Sequence, residues 1–146
     1  MTTTEDSIRV LHVDDQLSFA EMVAEQLEYE NDRFTVQTAA SASEGYEIVA
    51  THNIDCIISD YEMPRQNGIE FLETVRSEYP DLPFILYTGK GSEAIASEAI
   101  SAGVTDYLQK NSSGEQYAIL LNLFIYAVDQ YQTQRAVEES QERLSL

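Results

Sequence analysis

The chain has 146 residues, of which 26 are Asp or Glu and 8 are Lys or Arg, so its formal net charge is -18. This length is most simply one domain with room for a sizeable core. The charge argues against direct binding of nucleic acid or of an anionic membrane surface, because both need clustered basic residues. We also expect salt adaptation, since so acidic a surface repels itself in dilute buffer.

The expected location is the cytoplasm. Residues 1–6 contain no basic region and no apolar run, so we expect no signal peptide there, and no segment reaches the length of a membrane span. The single cysteine, Cys56, cannot form an internal disulfide and lies within an apolar run. We therefore predict a reducing compartment, with Cys56 as a small buried hydrophobe.

Strand-like and helix-like patterns alternate from the N-terminus onward. The apolar run at residues 8–13 predicts a first strand, and apolar positions at helical spacing over residues 17–27 predict a helix. Residues 34–38 alternate between polar and apolar, which predicts a half-buried second strand. Ser41 and Glu44 have the spacing of a capping box that opens a second helix.

The same alternation continues through the middle of the chain. The apolar run that ends in Asp60 predicts a third strand over residues 55–61, and residues 64–68 are predicted to form a loop. The third helix follows and must stop before Pro80, because the residue that precedes a proline disfavours helical geometry. Residues 83–87 predict the fourth strand.

A fourth helix, a short fifth strand and a long last helix complete the pattern. Ser92 is the predicted N-cap of the fourth helix and Gly103 its C-terminal stop. Residues 105–109 predict the fifth strand, and the last helix starts near residue 115. Five strand–helix units with short connections predict an α/β fold, a doubly wound five-stranded parallel sheet with helices on both faces.

The last helix turns polar near residue 132. We therefore expect the globular domain to span residues 1–131 and residues 132–146 to form a helical C-terminal extension or linker. Val137 and Leu144 are seven residues apart, the step of a coiled coil. Two alternatives stay open, a frayed helix end or a helix that continues into another domain or a partner.

Polar groups stand where four of the predicted strands end. Asp14 and Asp15 follow the first strand, Asp60 ends the third, and Thr88 and Lys110 end the fourth and fifth. Parallel strands present these ends at one edge of the sheet, where ligands bind in such folds. Carboxylate and carbonyl oxygens are the ligands that Mg²⁺ prefers, so the pattern predicts a Mg²⁺ site beside Asp60.

This set of side chains suits phosphoryl chemistry. An aspartate carboxylate such as that of Asp60 can attack phosphorus and form an acyl phosphate. Because the transition state is loose, the protein mainly supplies positioning and positive charge. Lys110 would supply a point charge for the phosphoryl oxygens, and Thr88 a hydroxyl donor.

From Ile8 to Tyr131 the chain resembles the receiver domain of two-component response regulators. The segment around the central aspartate reads Ile58-Ser59-Asp60-Tyr61-Glu62-Met63-Pro64, with Gly68 following. The residues that match the family's motifs are the acidic pair Asp14 and Asp15, the phosphoacceptor Asp60, the switch hydroxyl Thr88, the switch aromatic Tyr107 and the lysine Lys110.

The resemblance implies a function as well as a flavodoxin-like strand order. Asp60 would receive a phosphoryl group from a histidine kinase, with Mg²⁺ held by Asp14, Asp15, Asp60 and the backbone carbonyl of Glu62. The face formed by the fourth helix, fifth strand and fifth helix would then change conformation. The implied partners are the kinase, a downstream output domain or protein, and a second copy bound through that face or the C-terminal helix. The domain would assist only its own phosphorylation and dephosphorylation, and so would not be an enzyme.

Two positions depart from the family pattern. Asn111 stands where proline usually follows the lysine, so the geometry of the Lys110–Asn111 peptide bond stays open between cis and trans. Glu62 stands two residues after Asp60, and its acidic side chain could alter the attack of water on the phosphorylated aspartate.

Other classes of function fit the sequence less well. A Mg²⁺-dependent phosphohydrolase with an aspartyl-phosphate intermediate is the alternative, although Glu62 stands where such enzymes have a second aspartate and we expect no cap domain. A flavin-binding domain would need a phosphate-binding loop where the chain has Asp14 and Asp15. We interpret His12 and His52 as structural rather than as phosphodonors.

Overall fold

The computed structural model describes residues 7–89, 91–110 and 116–144 of the chain. Five strands and five helices alternate in this part, in the order β1 (Ile8–Val13), α1 (Leu17–Glu30), β2 (Phe34–Ala39), α2 (Ala42–Thr51), β3 (Cys56–Ser59), α3 (Gly68–Glu78), β4 (Phe84–Thr88), α4 (Glu93–Ser101), β5 (Asp106–Gln109) and α5 (Gln116–Leu144). All neighbouring strands pair in parallel, in the order β2-β1-β3-β4-β5. The predicted fold class is confirmed, a flavodoxin-like α/β sheet.

Helices cover both faces of the sheet, and the side chains of β1 alternate between two cores. Ile8 and Val10 point into a core shared with α1 and α5, whereas Leu11 and Val13 point into a core shared with α2, α3 and α4. Because both faces are covered, every residue of β3 is buried. Cys56 in this strand has no exposed surface, as predicted, and burial raises the pKa of its thiol.

Side-chain hydrogen bonds cap the first turns of α2 and α4. Ser41 accepts a hydrogen bond from the backbone N–H of Glu44 at 3.2 Å, as the capping box requires. The Glu44 carboxylate, however, accepts from the N–H of Ala40, one residue before the cap. Ser92 caps α4 as predicted and accepts from the N–H of Ile95 at 3.1 Å.

The complete capping box lies at α3, where the sequence analysis did not identify one. Asn67 accepts hydrogen bonds from the N–H groups of Ile69 and Glu70, and the Glu70 carboxylate accepts from the N–H of Asn67 at 2.9 Å. The box orients the start of α3 directly after the loop that follows Asp60.

The third strand ends two residues earlier than predicted, at Ser59, so Asp60 is the first residue of the following loop. The backbone N–H of Asp60 still donates to the carbonyl of Val13 at 3.0 Å, which ties the residue to the end of β1. Gly68 then closes the loop, because its N–H donates to the carbonyl of Tyr61 at 2.9 Å. The backbone around Asp60 is therefore held on both sides.

The last helix is one continuous element across the predicted boundary between residues 131 and 132. Tyr131 packs against the core, whereas the side chains of residues 132–142 are all exposed. The division into a domain and an extension therefore stays a prediction, although burial changes at that point. None of the helices in the described part of the chain is long and apolar enough to cross a membrane.

Some of the predicted features lie outside the described residues. These are the loop at residues 111–114, including Asn111 and its peptide bond to Lys110, and the last two residues of the C-terminal extension.

We predict that Gly68→Ala destabilises the fold. A methyl group at this position would overlap the carbonyl oxygen of Asp60 and lie 2.9 Å from Cδ1 of Leu86. Because the first obstacle is backbone, relief requires movement of α3 or the loop, and the free energy of unfolding in urea should fall by about 1–3 kcal/mol.

Gly89→Ala is the matched control. The added methyl group would meet only Cδ of Lys110 among the described residues, at 3.9 Å, which is ordinary contact. Its unfolding free energy should change by less than about 0.5 kcal/mol. Equal losses in the two variants would contradict the steric explanation.

Candidate functional site

Three carboxylates meet at the carboxyl edge of the sheet. Asp14 and Asp15 directly follow β1, Asp60 directly follows β3, and these two strands are neighbours. One carboxylate oxygen from each residue lies within 4.8 Å of the other two. Asp14 is fully buried and Asp60 is 8% exposed, whereas Asp15 is exposed. The positions of these residues after apolar runs predicted this convergence, and the structure brings the three residues together.

Short hydrogen bonds orient the two buried carboxylates. Oδ1 of Asp14 accepts from the backbone N–H of Gln16 at 2.9 Å, and Oδ1 of Asp60 accepts from the N–H of Tyr61 at 2.7 Å. In both residues Oδ2 faces the side chain of Lys110. The backbone thus fixes one oxygen of each carboxylate and leaves the other for a cation.

Lys110 bridges the two buried carboxylates. Its Nζ lies 3.0 Å from Oδ2 of Asp14 and 3.4 Å from Oδ2 of Asp60. The backbone N–H of Lys110 donates to the carbonyl of Thr88 at 2.9 Å, which extends the β4–β5 pairing by one residue. The lysine is therefore held by its backbone at the end of β5 while its side chain crosses to β1 and β3.

The charges in this site do not balance. Among the described residues three carboxylates converge here and one ammonium group contacts two of them, Asp14 and Asp60, which are buried where water screens little. A divalent cation on the carboxylate oxygens would supply the missing positive charge, and hard oxygen ligands suit such an ion. All three candidate donors are carboxylate oxygens, with no sulfur or nitrogen among them, so the residues present fit a hard divalent metal ion.

Thr88 and Tyr107 lie on neighbouring strands near the site. Thr88 is the last residue of β4 and is fully buried. In the parallel register Leu86 pairs with Tyr107 and Thr88 with Gln109, which makes Thr88 and Tyr107 diagonal neighbours on one face. The Tyr107 ring packs against the core, and its buried hydroxyl has no hydrogen-bond partner among the described residues.

Glu62 lies in the loop between β3 and α3, and its side chain is exposed. The same loop contains Arg65 with φ of 72°, a left-handed conformation that costs a residue with a side chain about 1–2 kcal/mol. The sequence predicted a loop here but gave no sign of the left-handed residue.

Three aromatic side chains near Lys110 were not identified as site residues. Nζ of Lys110 lies 4.2 Å from the ring centroid of Phe19 and 5.7 Å from that of Tyr87. His12 is fully buried, its Nε2 lies 3.9 Å from Oδ2 of Asp14, and neither ring nitrogen has a hydrogen-bond partner in the described structure. Burial, helped by the nearby Lys110 charge, lowers the pKa of His12 to about 3, so the ring is neutral.

Comparison with known proteins agrees with this arrangement. The family model described as response regulator receiver domain matches residues 10–122. The response regulator MprA of Mycobacterium ulcerans is 33% identical over 104 residues, which cover 71% of this chain and 44% of that protein. The chain spans about half the length of the curated relatives it matches.

Solved structures show the same fold. A response regulator receiver domain protein from Clostridium thermocellum has a TM-score of 0.79 and 26% identity, over 87% of this chain and 98% of that chain. The chemotaxis protein CheY4 of Vibrio cholerae has a TM-score of 0.72 and 32% identity, over 80% and 97% of the two chains. Because a receiver-domain match covers most of a chain that also has this fold and this site, the chain belongs to the response regulator receiver domain family of phosphoacceptor signalling switches.

Proposed function

We propose that Asp60 is the phosphoacceptor of this receiver domain and that a histidine kinase is the donor. The observation that carries the proposal is the position of the Asp60 carboxylate, which is slightly exposed, lies beside two further carboxylates and faces the Lys110 ammonium at 3.4 Å. The arrangement combines a nucleophile, a cation-binding set and a fixed positive charge at one point of the sheet edge.

The proposed step is an in-line transfer. One carboxylate oxygen of Asp60 forms a bond to phosphorus while the bond from phosphorus to the donor nitrogen breaks, and the histidine of the kinase leaves with that electron pair. Mg²⁺, when bound, offsets the repulsion between the carboxylate and the phosphoryl group. The ligands that we propose for this ion are Asp14, Asp15, Asp60 and the backbone carbonyl of Glu62.

Lys110 and Thr88 act on the phosphoryl oxygens in this proposal. The Lys110 ammonium would exchange its contact with the Asp60 carboxylate for one with a phosphoryl oxygen, so positive charge stays beside the reacting group throughout. Thr88, at the end of β4, would turn its hydroxyl toward the same group. Each contact is charge-assisted, and so stabilises the phosphorylated form more than the free form.

The switch that we propose couples Thr88 to Tyr107. The buried Tyr107 hydroxyl has no partner in the described structure, and an unsatisfied buried hydroxyl costs about 1–3 kcal/mol. The inward ring position is therefore only weakly favoured over an outward one, and one new hydrogen bond at Thr88 is enough to shift the balance. The surface that changes conformation and contacts the downstream partner in this proposal is the face formed by α4, β5 and α5.

Several finer features belong to the same proposal. The domain works in the cytoplasm, catalyses only its own phosphorylation and dephosphorylation, and passes its signal to an output domain or protein. Pairing with a second copy uses the face of α4, β5 and α5 or the exposed end of α5. The charge of -18 supports adaptation to concentrated salt and the absence of direct nucleic-acid binding.

We predict that acetyl phosphate adds one phosphoryl group to the protein in the presence of Mg²⁺, and that Asp60→Asn or EDTA abolishes the addition. Intact-mass analysis measures it. Asp106→Asn is the matched control, because Oδ1 of Asp106 also accepts the N–H of the next residue, at 2.9 Å, yet the residue lies outside the proposed site.

The same experiment separates the alternative functions. Continuous hydrolysis of the phosphodonor at many turnovers per minute would indicate a phosphohydrolase, and a flavin absorbance band would indicate a flavin protein. Labelling that persists in Asp60→Asn would disprove the assignment of the phosphoacceptor.

For the switch, we predict that beryllofluoride shifts the amide NMR signals of Tyr107 and α4, and that Thr88→Ala removes most of the shift at Tyr107. The reason is that the hydroxyl of Thr88 carries the new hydrogen bond. Thr35→Ala is the control, since Thr35 is exposed on β2 at the opposite edge of the sheet. A full shift at Tyr107 in Thr88→Ala would contradict the coupling.

For salt adaptation, we predict that the melting temperature rises by several degrees between dilute buffer and molar KCl. Salt screens the repulsion among 26 acidic residues, and this repulsion is weaker in the expanded unfolded chain. Thermal unfolding across a KCl series, monitored by circular dichroism, measures the effect. A melting temperature that stays constant or falls with KCl would contradict the proposal.

A further inference from the structure

The ammonium group of Lys110 has a third neighbour besides the two carboxylates. Nζ lies 3.0 Å from Asp14, 3.4 Å from Asp60 and 4.2 Å from the ring centroid of Phe19. An ammonium has three N–H donors, and the two carboxylates account for two of them. The face of the Phe19 ring covers a further side, and the Lys110 side chain is only 17% exposed.

The Phe19 ring is itself held in place. Phe19 lies in the first turn of α1, which begins close to the carboxylates that follow β1. Its ring centroid is 6.1 Å from that of Tyr87, and it meets the His12 ring in a T-shaped contact at 6.2 Å. Packing on two sides leaves the ring little freedom to turn away from the ammonium.

We propose that Phe19 is a positioning residue for Lys110, a role that rests on the proposed function of Asp60. The negative face of an aromatic ring attracts a cation, but it does not accept a hydrogen bond as strongly as a carboxylate oxygen does. Phe19 therefore confines the flexible lysine stem without competing for the N–H groups that the phosphoryl oxygens need. The ammonium exchanges a carboxylate partner for a phosphoryl oxygen while its contact with the ring persists.

The proposal makes the aromatic face, rather than the volume of the side chain, the required property. Leucine at this position would still fill apolar space but would offer no attraction to a cation. Tyrosine would keep the aromatic face. A 3,4,5-trifluorophenylalanine at position 19 would keep the shape of the ring while withdrawing its negative charge.

The kinetic test measures the initial rate of Asp60 phosphorylation by acetyl phosphate with Mg²⁺. We expect Phe19→Leu and the trifluorinated ring to slow it roughly 3- to 10-fold, and Phe19→Tyr to stay within about 2-fold of the native rate. Phe34→Leu is the matched control, because Phe34 begins β2 at the other end of the sheet and is 4% exposed. Its rate should equal the native rate.

A second readout needs no phosphorylation. The chain contains two lysines, Lys90 and Lys110, so ¹³C-labelled lysine gives two sets of side-chain NMR signals. The ε-methylene protons of one lysine should be shifted upfield by the ring current of Phe19, and Phe19→Leu should remove this shift. Lys110→Arg assigns the signal.

The outcomes separate this inference from the proposed function. A native phosphorylation rate in Phe19→Leu or in the trifluorinated protein would overturn the role of Phe19. A loss of rate in Phe34→Leu as large as in Phe19→Leu, or lysine signals that Phe19→Leu leaves unchanged, would overturn it as well. A native protein that acetyl phosphate does not label, with the ring-current shift present, would instead overturn the proposed function and leave the contact between Phe19 and Lys110 established.

Discussion

The site depends on one interaction, the ammonium of Lys110 between the carboxylates of Asp14 and Asp60. It joins residues 96 and 50 positions apart in the chain, and so ties the ends of β1, β3 and β5 together. Asp14 is fully buried, and a buried carboxylate without a cation strongly destabilises a fold. The lysine therefore stabilises the same carboxylate cluster whose oxygens fit a metal ion and which we propose as the site of phosphorylation.

The parallel sheet makes this interaction possible with little help from loops. β1 and β3 are adjacent and are followed directly by the acidic residues, while Thr88 is the last residue of β4 and Lys110 follows β5. Apart from Glu62, each of the proposed site residues lies within two positions of a strand end, so hydrogen bonds of the sheet largely fix its backbone. The buried hydroxyl of Tyr107 is unpaired among the described residues, and this is the observation behind the switch that we propose there.

Much of the fold and the site could be predicted because the signals are local. Helical and strand periodicities, the caps at Ser41 and Ser92 and polar residues directly after apolar runs are all features of a few adjacent residues. Contacts between distant residues gave no such signal. Arg76, for example, donates to the carbonyls of Gly103 at 2.8 Å and Leu82 at 2.6 Å, which links α3 to two loops. Nothing in its own segment distinguishes it from a surface arginine.

The sequence by itself determined the order of the elements, the parallel sheet and the residues at its carboxyl edge. A sheet that is buried on both faces requires apolar strands, and the polar residues directly after such strands are easily recognised. Only the tertiary structure decided which groups surround Lys110. Its distances to the Asp14 and Asp60 oxygens follow from how the strands pair, and the ring of Phe19 beneath it and the burial of the neutral His12 beside it depend on how α1 packs on the sheet. Packing of this kind depends on the shapes of side chains far apart in the chain, which local patterns do not record.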